Sequence, residues 1–206
     1  MPVKLKICGI TTLADAQMAV ELGVDWLGFN FYPKSPRYID PLKAAEIIKK
    51  LPDHIQSIGI LVQPTLSEIN EIIQIAQIQR LQIYEPMDFS DLSILPIPSI
   101  ICHRISDNQN KSYDFMNADM ILLDNHSKNA FGGTGKAFDW ANIPANIPRD
   151  KLILTGGITP QNISQALETV DPAVIDVASG SELSPGKKDH DKIKILVEKV
   201  REFNRK

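Results

Sequence analysis

Short apolar segments recur along the whole chain, and most of them are continuously apolar instead of alternating with polar residues. This pattern is typical of strands that are covered on both faces, as in a parallel sheet. Eight strands are predicted, at residues 3–8, 25–31, 57–62, 80–84, 98–105, 119–124, 151–155 and 174–179.

Segments with helical periodicity lie between these strands, because apolar residues recur in them three or four positions apart. The clearest sets are Leu66, Ile69, Ile73 and Ala76; Ile163, Ala166, Leu167 and Val170; and Ile193, Leu196, Val197 and Val200. The last set predicts a final helix from about Asp189 towards Phe203.

Polar residues at the starts of these segments predict helix N-caps. Two starts resemble capping boxes, and two place a capping residue before a proline at the first helical position. These are Thr12 with Asp15, Thr65 with Glu68, Asp40-Pro41 and Thr159-Pro160.

The predicted strands begin about 24 residues apart on average, with a helical segment in most intervals. Eight such units predict an α/β fold, a (β/α)8 TIM barrel, with residues 1–206 as a single domain. An open doubly wound sheet is the alternative, but it rarely needs eight regularly spaced strands in so short a chain.

Composition limits the possible functions. The chain is 43% hydrophobic with a net charge of −3, and it has no basic stripe, so nucleic acid is not an expected partner. No apolar segment approaches the roughly 18 residues of a membrane span, and the N-terminus lacks a signal-peptide core. Two cysteines suggest no disulfide framework, so we expect a cytoplasmic protein, either monomer or homodimer.

Two candidate reactive groups end predicted strands, where TIM barrels place their chemistry. Cys8 ends the first strand and could be a base or nucleophile if its pKa is lowered. Taken alone, a buried structural cysteine is the commoner case, as we expect for Cys102. Asp124 ends the sixth strand and could be a general acid or could simply cap the following loop.

Glycine-bearing turns follow the last two strands. TGGIT (155–159) and ASGSE (178–182) lie where many TIM barrels bind a phosphate, because backbone N–H groups can approach an anion there. Two such turns in this order favour a phosphate site over ordinary tight turns.

The segment FYPKSPRYI (31–39), after the second predicted strand, carries Arg37. This arginine could bind a carboxylate or could belong to a solvated surface turn.

Other motifs and residue types in the sequence do not match known nucleotide, metal or nucleophile sites. FGGTGKAFDW (131–140) is not a Walker A motif, because Ala130 and Ala137 occupy two of its required positions; we expect its glycines to let a loop fold over the site. The histidines show no metal-ligand spacing, so no metal is expected. Neither G-x-G-x-x-G nor G-x-S-x-G occurs.

Six segments together resemble the phosphoribosylanthranilate isomerase family of tryptophan biosynthesis, and they follow the family order over nearly the whole chain. They are KICGIT (6–11), GVDWLGFNFYPKSPRYI (23–39), LLDN (122–125), GGTGKAFDW (132–140), LTGGITPQNI (154–163) and IDVASGSELSPGKKD (175–189).

The resemblance implies an Amadori rearrangement of a phosphosugar, which needs no cofactor. A general acid protonates the ribose ring oxygen, and a general base then removes the C2′ proton of the resulting Schiff base. Cys8 matches the family's base, Asp124 its acid, and Arg37 the arginine that holds the anthranilate carboxylate. Four residues fall on the phosphate-binding turns, and Asp176 matches a family position of open role; the four are Gly156, Gly157, Ser179 and Gly180.

The chain departs from the family pattern in two places. The fourth strand ends in Tyr84-Glu85 instead of His-Gly, and Ala178 and Ser181 alter the last turn. Two other functions therefore stay open beside the isomerase: an isomerase for a different aminoaldose, and a phosphosugar-binding protein without catalysis.

Overall fold

A computed structural model describes residues 1–85, 91–105, 116–125, 140, 143 and 147–206. Its central element is a closed barrel in which each parallel strand pairs with the next along the chain and the eighth pairs with the first. This confirms the predicted (β/α)8 barrel and excludes the open doubly wound sheet.

Every predicted strand is present, and each boundary lies within two residues of the predicted one. The strands are β1 Lys4–Cys8, β2 Trp26–Asn30, β3 Gln56–Val62, β4 Arg80–Tyr84, β5 Ser99–Ile105, β6 Met120–Asn125, β7 Leu152–Leu154 and β8 Val174–Val177.

Helices surround the barrel, and short 3₁₀ turns lie next to strands in the connecting segments. The helices are α1 Leu13–Leu22, α2 Pro41–Ile48, α3 Leu66–Ala76, α4 Ile163–Val170 and α5 His190–Asn204. The 3₁₀ turns are Leu92–Ile94, Arg149–Lys151 and Ser179–Ser181. An antiparallel hairpin of β9 Glu182–Ser184 and β10 Lys187–Lys188, which the sequence pattern did not predict, separates β8 from α5.

Most of the predicted helix starts are confirmed. Asp40 caps α2 ahead of Pro41, and Thr65 with Glu68 forms a complete capping box at α3. Thr12 caps α1 by accepting a hydrogen bond from the backbone N–H of Asp15, but the predicted capping box is incomplete, because the Asp15 carboxylate accepts from the Thr12 hydroxyl and not from the Thr12 backbone N–H.

The predicted start at Thr159-Pro160 is wrong, because α4 begins at Ile163. The side chain of Asn162 accepts a hydrogen bond from the backbone N–H of Thr159 and donates one to the carbonyl oxygen of Gly157. These two bonds hold residues 159–162 in a turn that precedes the helix.

Two hydrophobic layers hold the fold together. The outer layer lies between strands and helices, and the predicted helical apolar sets contribute most of their members to it. The inner layer fills the barrel, where side chains such as Trp26, Ile58, Ile100 and Leu122 pack together. Successive strand residues point to opposite faces, so Lys6 and Cys8 share the interior face of β1. In the described ranges, no helix has both the length and the apolar character to cross a membrane.

Candidate active site

Cys8 lies at the rim of the barrel where the parallel strands end. It is the last residue of β1, is half-buried and packs against the inner hydrophobic layer. Gly28 is its partner on β2, and a Cβ built on that glycine would lie 3.2 Å from the Cys8 sulfur. The glycine therefore leaves the space that the thiol occupies.

The charged groups around Cys8 shift the pKa of its thiol in opposite directions. Burial raises the pKa of the thiol, and the nearby carboxylate of Asp176 raises it further, whereas the positive charges of Lys6, Lys188 and Arg37 lower it. The net shift is upward, opposite to the lowered pKa that the sequence argument required of a reactive thiol. Desolvation of the thiolate is the reason, since burial penalises its charge.

Asp124 lies across the barrel near the end of β6, where it is 4% exposed. The Tyr84 hydroxyl, at the end of β4, lies 3.4 Å from its Oδ2 atom, and the amide nitrogen of Gln82 lies 3.4 Å from the same hydroxyl. Burial and the Asp124 charge raise the pKa of Tyr84 well above its usual value, so the phenol stays protonated as a donor. Tyr84 is thus a hydrogen-bond donor at the position where the family pattern has histidine.

Cys8 and Asp124 belong to one electrostatic environment, because the Tyr84 hydroxyl is influenced by both groups. The strand order places β7 and β8 between β6 and β1 around the barrel. The two glycine-bearing turns therefore lie on the wall between Asp124 and Cys8.

Lys6 is a charged residue of this interior that the sequence analysis missed. Its Nζ atom lies 2.9 Å from Oδ2 of Asp176 on β8, and its side chain is 0% exposed. The second carboxylate oxygen of Asp176 is buried and has no hydrogen-bond partner within the described residues. A lysine inside the apolar run KLKIC was the available signal, because such a residue must pair or reach solvent.

The two glycine-bearing turns pack directly against each other. Gly156 and Gly157 have φ values of 89° and 70°, the left-handed region that favours glycine. A Cβ built on Gly180 would overlap the carbonyl oxygen of Ile158. The first residue of the TGGIT turn, Thr155, donates from its hydroxyl to the carbonyl oxygen of Asp176 at 2.9 Å. The turns that carry Gly156, Gly157, Ser179 and Gly180 thus form one continuous backbone surface.

Arg37 reaches the same rim from the loop after β2. Its Cδ atom would lie 2.6 Å from a Cβ built on Gly9, so the side chain lies against the turn that follows Cys8. The guanidinium forms an ion pair with Glu182 of β9, with 2.7 Å between Nη2 and Oε2. Lys188 of β10 is buried beside them, 2.9 Å from the same carboxylate and 2.6 Å from the Cys8 carbonyl oxygen.

Sequence reasoning missed Glu182 and Lys188, because their roles depend on the hairpin that places them beside Arg37. Cys8, Asp124 and Arg37, which the sequence did single out, lie at this rim, and their roles stay predictions. The loop of residues 131–139, with the expected lid glycines, lies outside the described residues. Within the described part of the chain, no cluster of three or more His, Cys, Asp or Glu side chains could hold a metal ion.

Comparison with known proteins identifies relatives over the full barrel. A family model described as N-(5'phosphoribosyl)anthranilate (PRA) isomerase matches residues 5–199. The N-(5'-phosphoribosyl)anthranilate isomerase of Citrifermentans bemidjiense is 39% identical over 202 residues, covering 97% of this chain and 98% of the relative.

Solved structures agree with the sequence comparison. The phosphoribosyl anthranilate isomerase from Thermotoga maritima is 37% identical with a TM-score of 0.84, covering 97% of this chain and 99% of that one. A phosphoribosyl anthranilate isomerase in complex with reduced 1-(o-carboxyphenylamino)-1-deoxyribulose 5-phosphate has a TM-score of 0.81 at 35% identity, with the same coverage.

Proposed function

Because the chain belongs to the N-(5'-phosphoribosyl)anthranilate isomerase family, we propose that Cys8 and Asp124 act as general base and general acid in the family's reaction. The enzyme isomerises N-(5'-phosphoribosyl)anthranilate in tryptophan biosynthesis. Family membership selects this activity over the other aminoaldose isomerase and the non-catalytic binding protein.

The substrate carries two anionic ends, and the rim offers a site for each. We place the phosphate at the turns that carry Gly156, Gly157, Ser179 and Gly180. Glycines let backbone N–H groups approach an anion, and the first N–H groups of the helical turn Ser179–Ser181 lack internal acceptors. The aromatic carboxylate is assigned to Arg37, and Asp176 stays a predicted substrate-site residue of open role.

Ring opening requires an acid. Asp124 donates a proton to the ribose ring oxygen while the lone pair of the anthranilate nitrogen forms the C1′=N bond, and the C1′–O bond breaks. The product is an open-chain protonated Schiff base. Its positive charge makes the C2′ proton acidic enough to be removed.

Proton abstraction requires a base. The Cys8 thiolate takes the C2′ proton, the C2′–H electron pair forms a C1′=C2′ bond, and the C1′=N π electrons return to nitrogen, which gives a neutral enolamine. The enolamine then gains a proton at C1′ and loses the proton of its C2′ hydroxyl, which leaves the aminoketose. No electrons enter or leave, so the sequence of steps is a net isomerisation.

One observation supports this assignment above the others: Cys8 and Asp124 lie at the carboxyl ends of β1 and β6, with both phosphate turns on the wall between them. We infer that a sugar held by its phosphate on that wall extends between the two groups. A donor on one side and an acceptor on the other suit an acid and a base that act on different atoms of one ribose.

The test replaces each group separately. Cys8→Ala and Asp124→Asn are expected to lower kcat/KM by about 10²–10⁴-fold, the usual contribution of a general acid or base. Turnover is measured by the loss of anthranilate fluorescence, and circular dichroism checks folding. Cys102→Ala, which removes the other buried thiol, is the matched control and should keep its activity. Wild-type rates in either site variant would refute the assigned roles.

The remaining predictions concern the partner molecule, the assembly and the cellular location of the protein. The partner is a small phosphosugar, and nucleic acid and membranes play no part in the proposed reaction. Assembly as a monomer or homodimer and a cytoplasmic location stay predictions.

A further inference from the structure

We propose that Glu182 is a positioning residue for Arg37, and that it determines which edge of the guanidinium meets the substrate's aromatic carboxylate. The inference rests on the proposed function, since it takes Arg37 as the group that binds this carboxylate. It adds a residue from the β9–β10 hairpin to the substrate-recognition machinery.

The contacts between the two side chains are directional. Nε of Arg37 lies 2.9 Å from Oε1 and 3.1 Å from Oε2 of Glu182, and Nη2 lies 2.7 Å from Oε2. Glu182 therefore occupies the side edge of the guanidinium, which is formed by Nε and Nη2. Such a two-point ion pair fixes both distance and rotation of the planar group.

The other bidentate edge stays available. Within the described residues, no acceptor contacts Nη1 of Arg37, and Nη2 has a second N–H group. The end edge formed by Nη1 and Nη2 can thus accept a carboxylate in the same two-point geometry. The Arg37 stem lies against Gly9, so this edge is held beside the turn that follows the Cys8 base.

Glu182 is itself held firmly. Its side chain is 3% exposed, and its carboxylate accepts further hydrogen bonds from Lys188 Nζ at 2.9 Å and from the backbone N–H of Gly186 at 3.2 Å. The Nζ atom of Lys192 on α5 also donates to the Glu182 carbonyl oxygen at 2.7 Å. A buried carboxylate with these partners cannot rotate away without leaving charges unpaired.

The charge balance fits an anionic ligand. Arg37 and Lys188 contribute two positive charges around the single negative charge of Glu182. While the Cys8 thiol is neutral, as its raised pKa favours, one positive charge is left over, which a substrate carboxylate would neutralise. Glu182 therefore orients Arg37 without cancelling the attraction for the ligand.

Glu182 also connects the proposed phosphate site to the proposed carboxylate site along the chain. It directly follows the turn Ser179–Ser181, which is assigned to the phosphate. One short segment thus sets the distance between the phosphate site and the carboxylate site. Since catalysis depends on holding the ribose between the acid and the base, this distance matters for both binding and rate.

The experiment compares two inhibitors. One is reduced 1-(o-carboxyphenylamino)-1-deoxyribulose 5-phosphate, and the other is the same compound without the ring carboxyl group. Glu182→Ala is expected to raise the inhibition constant of the carboxylated compound on the order of 10-fold, because a charge-assisted contact is misaligned. The compound without the carboxyl group should bind about as well as to the wild-type enzyme.

Three further variants make the result specific. Leu183→Ala, the matched control, shortens an exposed side chain of the same hairpin and should leave the ratio of the two inhibition constants unchanged. Arg37→Ala should change that ratio at least as much as Glu182→Ala, and the double variant should change it no further than Arg37→Ala alone. Glu182→Gln keeps the side-chain size and should show a smaller selective loss, so it carries the test if Glu182→Ala fails to fold.

The outcomes separate the two proposals. Equal weakening of both inhibitors in the Glu182 variants would mean general damage to the hairpin and would overturn the positioning role, as would no weakening of either. A selective loss in Arg37→Ala but not in the Glu182 variants would overturn this inference alone. Unchanged selectivity in Arg37→Ala would instead overturn the carboxylate-binding role assigned to Arg37.

Discussion

Lys6 and Asp176 form a buried ion pair beneath the proposed base, and their charges act on the Cys8 thiol in opposite directions. Burial alone would lower the pKa of Lys6, but the charge and hydrogen bond of Asp176, together with the two nearby cysteines, raise it above its usual value, so the ammonium stays charged. That permanent positive charge limits the rise in the thiol pKa. A charged pair, unlike an apolar one of the same size, therefore supports thiolate formation in the barrel interior.

The raised pKa of Cys8 predicts how activity depends on pH. A base must be deprotonated to act, so the thiolate fraction and kcat/KM of the enzyme should rise as pH increases through neutrality. The midpoint of this ascending limb should lie above about 8.5, the usual thiol pKa. The alkylation rate of Cys8 in the Cys102→Ala variant, measured against pH, should give the same midpoint.

Two results bear on this pH prediction. Cys102→Ala should keep the ascending limb of kcat/KM, since only Cys8 is assigned as the base. A midpoint well below 8.5, in alkylation and activity alike, would contradict the direction that burial gives to the thiol pKa.

At the scale of elements, the contact between the turns after β7 and β8 requires a glycine at position 180. A methyl group there would overlap the Ile158 carbonyl oxygen, which is backbone and cannot rotate aside. Gly180→Ala should therefore force the two turns apart. Because an error of about 1 Å in substrate placement can cost 10²-fold, we expect kcat/KM to fall on that order.

Steady-state kinetics and inorganic phosphate inhibition measure the Gly180→Ala effect. Gly23→Ala is the matched control, since Gly23 has a φ of 98° at the end of α1, away from the proposed phosphate site. The control should lose stability and keep kcat/KM. Normal phosphate inhibition in Gly180→Ala would show that this turn does not hold the phosphate.

The same element scale explains the pattern of correct and missed helix starts. Thr65 and Asp40 act on N–H groups within their own first turn, so the local sequence contains the whole interaction. Thr159 does not cap the helix, because the Asn162 side chain accepts a hydrogen bond from the Thr159 N–H and donates one to the Gly157 carbonyl oxygen. Thr159 and Asn162 are both residue types that favour an N-cap, and the local sequence pattern does not show which of them precedes the helix.

At the scale of the whole molecule, a contact between the two ends of the chain supports the closure of the barrel. The Asn204 side chain at the end of α5 accepts from the Val3 N–H at 2.8 Å and donates to the Val3 carbonyl oxygen at 2.9 Å. These bonds join the final helix to the chain just before β1. The last helix thereby reinforces the β1–β8 pairing that completes the ring.

Asn204→Ala is expected to reduce the free energy of unfolding by about 1–3 kcal/mol, since it leaves two backbone groups without their partners. Urea unfolding measures the change, and activity at 25 °C should stay normal. Lys206→Ala is the control, because it breaks an ion pair between exposed side chains, with Glu168, and should have no measurable effect. Equal stability of both variants would argue against a clamp at the chain ends.

Local patterns were enough for the eight strands and for the positions of Cys8, Asp124 and the glycine turns. Continuous apolar runs identify strands covered on both faces, and in parallel strands the residue at the carboxyl end must lie on one known rim. These features depend on neighbours in the chain, so they can be predicted without knowing the distant contacts.

The roles of Lys6, Glu182 and Lys188 depended on the folded molecule. The Lys6–Asp176 pair joins residues 170 positions apart, and the Arg37–Glu182 pair joins residues 145 positions apart. The upward shift of the Cys8 pKa likewise comes from burial by the closed barrel. Charge pairing and desolvation depend on distance through space, and only ring closure brings these groups together.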